Sequence, residues 1–134
     1  MSSCRTNIED YYYDQICGEY IVSNKKSYDY ENNPIDSFLD NYGSIYVSFD
    51  RNDIVTITYL FNDNAYERKL NYDIGIYQDN GNYKDNIIYV ELRTDNYIFE
   101  PLRGIGIYKD NTLYFSMEYT NYYTNVSLKK VECI

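Results

Sequence analysis

The feature that most constrains the fold is an alternation of apolar and polar residues that begins at Ser44 and continues through Val131. A period of two places the apolar side chains on one face of an extended chain, so it predicts β-strands. Short runs rich in Asn and Asp interrupt the alternation, as hairpin turns do. No stretch after Gly43 has the period of a helix, which excludes β-α-β units and the nucleotide-binding folds built from them.

The clearest single element is a hairpin over residues 104–119, with its turn at Asp110-Asn111. Asn and Asp adopt positive φ at low cost, and tight two-residue hairpin turns require positive φ. Residues 105–111 nearly repeat residues 74–80, so the sequence predicts two similar hairpins. Each copy carries a glycine inside a strand, which indicates a bend or a close approach of two backbones.

Similar turn signals at 50–53 and 62–64 divide the remaining chain into short strands, about ten in all. Besides the two repeated segments, the predicted strands are 18–24, 44–50, 54–61, 65–72, 86–93, 97–100 and 123–131. Such a series of antiparallel strands has exposed edges unless it closes on itself. We therefore expect a mostly β fold in one domain over 1–134, an antiparallel up-and-down meander that closes into a barrel of about eight to ten strands.

Two short helices are predicted in the N-terminal 43 residues. The first spans about 7–16 and begins with the capping-box pattern Thr6–Glu9, in which the Thr and Glu side chains satisfy free backbone amides. The second is a helical insert over about 33–42. Its signals are Asn33 as N-cap, Pro34 in the first turn, and apolar residues that recur with helical spacing.

The composition excludes several classes of catalytic and metal site, because the chain has no His. It also has 20 Tyr and no Trp. Without His, a single chain cannot build Ser-His, Cys-His or His-metal sites. Carboxylates are plentiful, but most lie at predicted turns and no pair stands out as a glycosidase site. The loop 79–86 offers oxygen atoms but lacks the spacing of an EF-hand. We expect no catalytic residues, no metal and no cofactor.

The net charge is −9, from 21 acidic and 12 basic residues. This charge opposes attraction to nucleic acids and to anionic membranes. No apolar run approaches the roughly 20 residues of a membrane helix, and no apolar signal segment precedes Cys4. We expect a soluble protein, cytoplasmic by default, with no nucleic-acid partner and no membrane insertion.

The three cysteines, Cys4, Cys17 and Cys133, form no CxxC pair. Their odd number favours buried thiols in a reducing compartment. The alternative is a contact between Cys17 and Cys133, because the first and last strands of a closed antiparallel barrel are neighbours.

Residues Ile16–Tyr20, a short helix that enters the first strand through Gly-x-aromatic, resemble the Gly-x-Trp opening of the calycins. This superfamily comprises the lipocalins and the fatty-acid-binding proteins. The insert after the first strand is similar to the one that covers the barrel mouth in the fatty-acid-binding branch. The last strand lacks that branch's Arg-x-Tyr pair, but Lys129 or Lys130 stands where lipocalins place a basic residue. The resemblance implies a barrel that carries a small ligand.

The first functional hypothesis is a non-catalytic, lipocalin-like barrel that binds a small apolar or aromatic ligand. Tyr offers a large contact area and a hydroxyl group at low entropic cost. The candidate ligand-binding residues are Tyr20, Phe38, Tyr59, Tyr89, Tyr114 and Phe115. Alternation defines the two faces of a strand without saying which is the inner one. The alternative is that these same side chains simply fill the core.

The second hypothesis is an acidic, Tyr-rich protein-interaction module with a filled core, such as an inhibitor, an immunity-type protein or a virion component. Acidic and Tyr residues together are typical of surfaces that meet basic proteins. The predicted contact with a basic partner is the run Glu9, Asp10, Tyr11, Tyr12, Tyr13 and Asp14. The alternative is that this run is a solvated helix face.

Overall fold

The structure, a computed structural model, describes residues 6–36, 44–93 and 103–131. A 3₁₀ turn covers Tyr83–Asp85. The other elements are α1 (Asn7–Ile16), β1 (Gly18–Asp29), β2 (Pro34–Ile35), β3 (Ser44–Phe49), β4 (Ile54–Phe61), β5 (Asn64–Gln78), β6 (Ile87–Arg93), β7 (Arg103–Lys109), β8 (Thr112–Glu118) and β9 (Tyr122–Lys130).

From β3 to β9, each strand pairs antiparallel with the next one along the chain. The sheet closes because β1 also pairs with β9, from Tyr20 opposite Lys130 to Asp29 opposite Tyr122. Among the described residues, β1 and β3–β9 form an eight-stranded barrel. The other edge of β1 holds β3 at its start and the two-residue β2 near its end. The predicted mostly β fold and the closed meander are therefore confirmed.

Strand β5 explains much of the difference between the predicted strand number and the observed one. It is a single strand of 15 residues, whereas the sequence predicted two strands there. Residues 64–71 pair with β4 and residues 71–78 pair with β6, so the long strand serves two partners in succession. Such staggered pairing is what lets tilted strands close into a barrel. The predicted strand 97–100 lies outside the described residues.

The predicted turns at 62–63 and 110–111 are confirmed. Asn62 and Asp63 have φ of 47° and 67°, and Asp110 and Asn111 have φ of 51° and 61°. Positive φ at both central residues matches the right-handed twist of the flanking strands. In both hairpins the strands pair up to the residues that flank the turn.

The loop predicted at 79–86 is confirmed, and it differs from the tight turn at Asp110-Asn111 in the other copy of the repeat. There the chain runs through loop 79–86, which contains the 3₁₀ turn, before β6 begins. The side chain of Asn80 donates to the backbone oxygen of Asp85, and its backbone amide donates to Asn86. The reason is local: Gly81 continues the loop, at a φ of 94°, whereas alternation resumes directly after Asn111.

Helix α1 is confirmed with its predicted bounds, and the Thr6 hydroxyl accepts the backbone N–H of Glu9. The second helix is wrong at its start, because Pro34–Ile35 is a short strand that pairs with β1. The Asp29 carboxylate accepts two backbone N–H groups, from Glu31 and Asn33, and so turns the chain back toward β1. These bonds, that from Asn33 above all, hold the pKa of Asp29 below its usual value. The rest of the predicted insert lies outside the described residues.

The two ends of the barrel have different neighbours. At one end, which we call the closed end, α1 meets the β3–β4 turn and loop 79–86. At the other, which we call the far end, β1 finishes at Asp29 and the β4–β5 turn and residues 119–121 join the strands. Inward residues of the strands form the core between the two ends.

Candidate functional site

The closed end is packed with aromatic side chains. Phe49 lies at the centre, with its ring centroid 5.5 Å from that of Tyr20, 5.0 Å from Tyr72 and 6.4 Å from Phe115. The first two contacts are edge to face and the third is stacked, which are the favoured geometries of aromatic pairs. All four side chains are buried. Close packing of this kind leaves little freedom for the residues involved.

Helix α1 covers this aromatic packing. Ile16 is fully buried, and its backbone oxygen accepts the Tyr20 hydroxyl at 2.6 Å. Tyr12 is also buried, and its hydroxyl accepts the side-chain amide of Asn86 at 3.1 Å. Tyr13 donates to the Asp53 carboxylate in the β3–β4 turn. The helix is therefore attached at several points to the end that it covers.

Burial also sets the acidity of the phenols at this end. Loss of hydration on burial, above all other causes, raises the pKa of Tyr20 well above its ordinary value. The same cause, reinforced by the neighbouring Cys17 thiol, raises the pKa of Tyr72. The Cys17 sulfur lies 3.6 Å from the Tyr72 hydroxyl oxygen, while Cys4 and Cys133 lie outside the described residues. The contact between Cys17 and Cys133 therefore stays a prediction.

Lys130, at the end of β9, ties the last strand to the helix and the first strand. Its Nζ donates to the backbone oxygen of Gln15 at 2.7 Å and lies 5.8 Å from the centroid of the Tyr20 ring. The lysine stem crosses Gly18, where an added Cβ would lie 2.8 Å from Lys130 Cε. Gly18 also has a φ of 141°, which side chains disfavour. The glycine therefore permits the close approach of the lysine.

The predicted partner surface at 9–14 lies on helix α1, which buries some of its residues and leaves others exposed. Tyr12 is buried, and Tyr11 and Tyr13 are half-buried against the core. Asp14 forms an ion pair with Arg51 on the neighbouring turn. Glu9 and Asp10 stay exposed in the first helical turn, where negative charge is favourable. Contact with a basic partner stays a prediction, and the tyrosines of this run pack on the protein itself.

The far end has a more polar interior. Ser27 and Thr124 are buried there, and their hydroxyl oxygens lie 2.7 Å apart. Tyr59 and Met117 face inward beside them and are only half-buried. Tyr119 lies close by, and burial, followed by the neighbouring phenol of Tyr59, raises its pKa. Hydroxyl groups and an adaptable thioether thus accompany aromatic rings at this end, where Tyr119 stacks on Tyr122 with centroids 4.6 Å apart.

Two basic residues occupy inward positions along the middle of the strands. Lys25 lies opposite Val126, and Arg68 lies opposite Ile57, both of which are inward core residues. Lys25 reaches this position because β1 bulges between Val22 and Asn24, which reverses the faces of the residues that follow. The barrel interior therefore combines apolar side chains with hydroxyl groups and two basic side chains.

The candidate ligand-binding residues do not share one surface. Tyr20 and Phe115 belong to the packing of the closed end, and Tyr59 faces inward at the far end. Tyr89 and Tyr114 lie on the outer face of the barrel, because their neighbours along the strands are the ones that point inward. The expectation that these two line the interior is corrected by the strand pairing. Phe38 lies outside the described residues.

A trough on the outer surface was missed by the sequence analysis. It has a volume of about 410 Å³ and crosses three adjacent strands, β1, β9 and β8. Its lining comprises Asn24, Lys26, Tyr28, Tyr114, Phe115, Ser116, Asn125, Val126 and Ser127. The predicted first strand ended at residue 24, so the second half of β1 was not recognised as a strand. Its alternation of Asn24, Lys26 and Tyr28 with inward residues was the signal that could have revealed it.

Within residues 6–36, 44–93 and 103–131, no three His, Cys, Asp or Glu side chains cluster as metal ligands. In the same ranges, no helix has the length and apolar character needed to span a membrane. Comparison with known proteins finds no matching family model, no matching curated protein and no matching solved structure. A functional assignment therefore depends on the residues and geometry of this chain.

Proposed function

We infer that the protein is a non-catalytic, lipocalin-like barrel that binds a small apolar or aromatic ligand inside its far end. The observation that carries this proposal is the contrast along the barrel interior. Packed rings occupy the closed end, whereas half-buried Tyr59 and Met117 share the far end with buried hydroxyl groups. Ligand sites in proteins are mostly apolar concavities with a few placed polar groups, and the far end has that composition.

The lipocalin-like character is supported by the contacts around Gly18. A short helix leads into β1 through Gly18 and Tyr20, as the resemblance implies. The basic residue on the last strand is Lys130, whose Nζ lies over the Tyr20 ring and bonds to the helix that covers the barrel. A cation over an aromatic face is favourable, more so where water is excluded. The contact of Lys130 with the Gly-x-aromatic strand supports the lipocalin-like resemblance, which implies a basic residue of the last strand at this position.

The side chains of the far end suggest the chemistry of the ligand. Tyr59 and Met117 offer a ring and a flexible thioether to an apolar or aromatic body. Ser27 and Thr124 offer hydroxyl groups, so a polar group on the ligand is favoured. The two hydroxyls are bonded to each other rather than to a general base. These side chains therefore support ligand binding rather than catalysis.

Fluorescence titration with an anilinonaphthalene sulfonate probe tests the proposal. We expect saturable binding of one probe per chain. Met117→Trp should weaken it by about tenfold or more, because the indole would occupy the interior beside Gly104. Ser116→Trp is the matched control, since the adjacent residue faces outward, and should change affinity by no more than about twofold.

Two results would contradict this assignment. One is the absence of stoichiometric probe binding to the folded protein, which would favour a filled core. The other is a loss of affinity in Ser116→Trp with none in Met117→Trp, which would place the probe on the outer surface. Circular dichroism of both variants separates loss of binding from loss of fold.

An acidic contact surface for a basic protein is the second candidate function. It is supported by Glu9 and Asp10, which remain exposed in the first turn of α1. The expected partner would meet carboxylates rather than rings, because the tyrosines of this run pack inward. Charge reversal, Glu9→Lys with Asp10→Lys, should then abolish low-salt binding to a basic probe such as polylysine. Binding that survives the reversal would argue against this surface.

A further inference from the structure

The outer trough is built from facing residues on three paired strands. Ser127 on β9 lies between Asn24 on β1 and Tyr114 on β8. In the next outward row, Asn125 lies between Lys26 and Ser116. The side chains of both rows point outward because their neighbours, such as Val126, point into the core. The trough therefore has a floor of small polar groups fixed by strand register.

The polar groups of this floor are available to a ligand. They are the side-chain amides of Asn24 and Asn125 and the hydroxyls of Ser116 and Ser127. Within the part of the chain that the structure describes, none of these four groups hydrogen-bonds to another protein group. Each amide can donate and accept at once, and so can each hydroxyl.

Aromatic rings border the same floor. Tyr114 is 52% exposed at one side of the trough. On the other side, the ring of Tyr28 stacks on Tyr123 with centroids 5.4 Å apart, and Tyr30 lies 5.9 Å beyond Tyr123. Tyr123 is held in place by its hydroxyl, which donates to the Asn32 side chain at 2.7 Å. The trough thus continues into a row of tyrosine rings.

The charge of the trough limits what it can bind. No carboxylate is among its lining residues, so a hard cation would find only neutral oxygen atoms there and no compensating negative charge. Its one basic group, Lys26 Nζ, lies 5.6 Å from the centroid of the Tyr28 ring. One lysine without a helix N-terminus or an arginine fork is a poor site for phosphate. The remaining chemistry is neutral: amides, hydroxyls and ring faces.

We propose that the outer trough binds a neutral saccharide, with sugar rings against Tyr114 and Tyr28 and sugar hydroxyls bonded to Asn24 and Asn125. The C–H bonds on the face of a pyranose carry small positive partial charges, which match the negative face of an aromatic ring. Vicinal hydroxyl pairs donate and accept together, which matches a side-chain amide. The volume of about 410 Å³ lies within the range of small-ligand sites.

NMR titration tests the proposal with cellotetraose, maltotetraose and chitotetraose as separate probes, each up to about 10 mM, because weak sites have dissociation constants near the millimolar range. We expect at least one probe to shift the amides of residues 24–28, 114–116 and 125–127 in a saturable manner. Tyr114→Ala and Asn125→Ala should each weaken that probe by about tenfold. The matched control is Tyr46→Ala, an outward and exposed tyrosine on β3, which should leave affinity unchanged.

Met117→Trp, which blocks the proposed interior site, should also leave saccharide binding unchanged, so the two sites are tested separately. The proposal is overturned if none of the three probes shifts these amides. It is also overturned if the shifts persist unchanged in Tyr114→Ala, or if inorganic phosphate or a neutral tetrapeptide produces the same saturable shifts at equal concentration. Each variant is checked by its amide spectrum, so an unfolded variant is recognised and Asn125→Ala serves in place of Tyr114→Ala.

Discussion

The closed end and the far end of the barrel are made of the same strands but are packed differently. At the closed end, Phe49 contacts the rings of Tyr20, Tyr72 and Phe115 beneath a helix. At the far end, the inward side chains include a hydroxyl pair and half-buried Tyr59 and Met117. The difference teaches that the two halves of the same strands can pack differently, with aromatic rings in close contact at one end and a more polar, partly exposed interior at the other.

Truncation of one inward side chain at each end gives the largest expected difference. Phe49→Ala removes the ring at the centre of the aromatic packing and should lower the free energy of unfolding by about 3–5 kcal/mol. Met117→Ala removes a half-buried side chain and should lower it by about 1 kcal/mol. Urea unfolding followed by circular dichroism measures both values. Equal losses would remove the distinction between the two ends.

Two inward glycines on β7 give a sharper comparison within one strand. A Cβ at Gly106 would lie 2.5 Å from the Phe115 ring, whereas a Cβ at Gly104 would lie 3.2 Å from the flexible end of Leu92. Gly106→Ala should therefore lower the free energy of unfolding by about 2 kcal/mol, because the surrounding aromatic packing prevents the Phe115 ring from moving away from the added methyl group. Gly104→Ala should change stability by less than about 1 kcal/mol. Thermal unfolding measures the stability of the two variants. A larger loss in Gly104→Ala than in Gly106→Ala would contradict this description of the packing.

Alkaline pH should act on the closed end through its buried phenols. Burial raises the pKa of Tyr20 and Tyr72 above the ordinary value of 10.0, so the folded chain favours their protonated forms. Their contribution is complete below pH 10.0 and is lost as the pH rises from there toward the folded pKa values. Over that pH range, each buried phenol should lower the free energy of unfolding by about 1.4 kcal/mol per pH unit.

Urea unfolding at several pH values up to about 11 measures this slope, above the ordinary Tyr pKa. Tyr20→Phe should be less stable at neutral pH by about 1 kcal/mol, because the bond to Ile16 is lost. Its stability should nevertheless fall less steeply above pH 10.0, the ordinary pKa of the removed phenol. Tyr46→Phe, which removes an exposed phenol hydroxyl, is the control for the substitution itself. A Tyr20→Phe slope equal to that of the unchanged protein would show that the phenol ionises freely.

Local signals in the sequence were sufficient for much of the fold. The capping pattern at Thr6 and the positive-φ residues Asp110 and Asn111 act over a few neighbouring residues, so they could be read directly. Pro34 was ambiguous, because a fixed φ suits both the first turn of a helix and the edge of a sheet. The sequence favoured the helix, but the turn at Asp29 brings Pro34 back to pair with Tyr28 of β1, and this pairing makes the segment a strand.

The site depends on contacts that no single segment reveals. Tyr89 and Phe115 alternate equally well in the sequence, yet Tyr89 covers Gly75 on the outer face and Phe115 covers Gly106 in the core. Which face is inner follows from closure of the barrel. The bulge after Val22 then sets the faces of the second half of β1, and with them both Lys25 inside and the trough outside. Alternation alone does not contain this information.

Amide hydrogen exchange with and without saturating anilinonaphthalene sulfonate is the most direct test of the contrast between the ends. If the ligand site lies inside the far end, the probe should slow exchange at Tyr59, Met117 and Thr124. Exchange at the closed end, read at Tyr20 and Phe49, should change only as much as the global stability does. Bound probe that protects the closed end instead, or that protects neither end, would contradict the account.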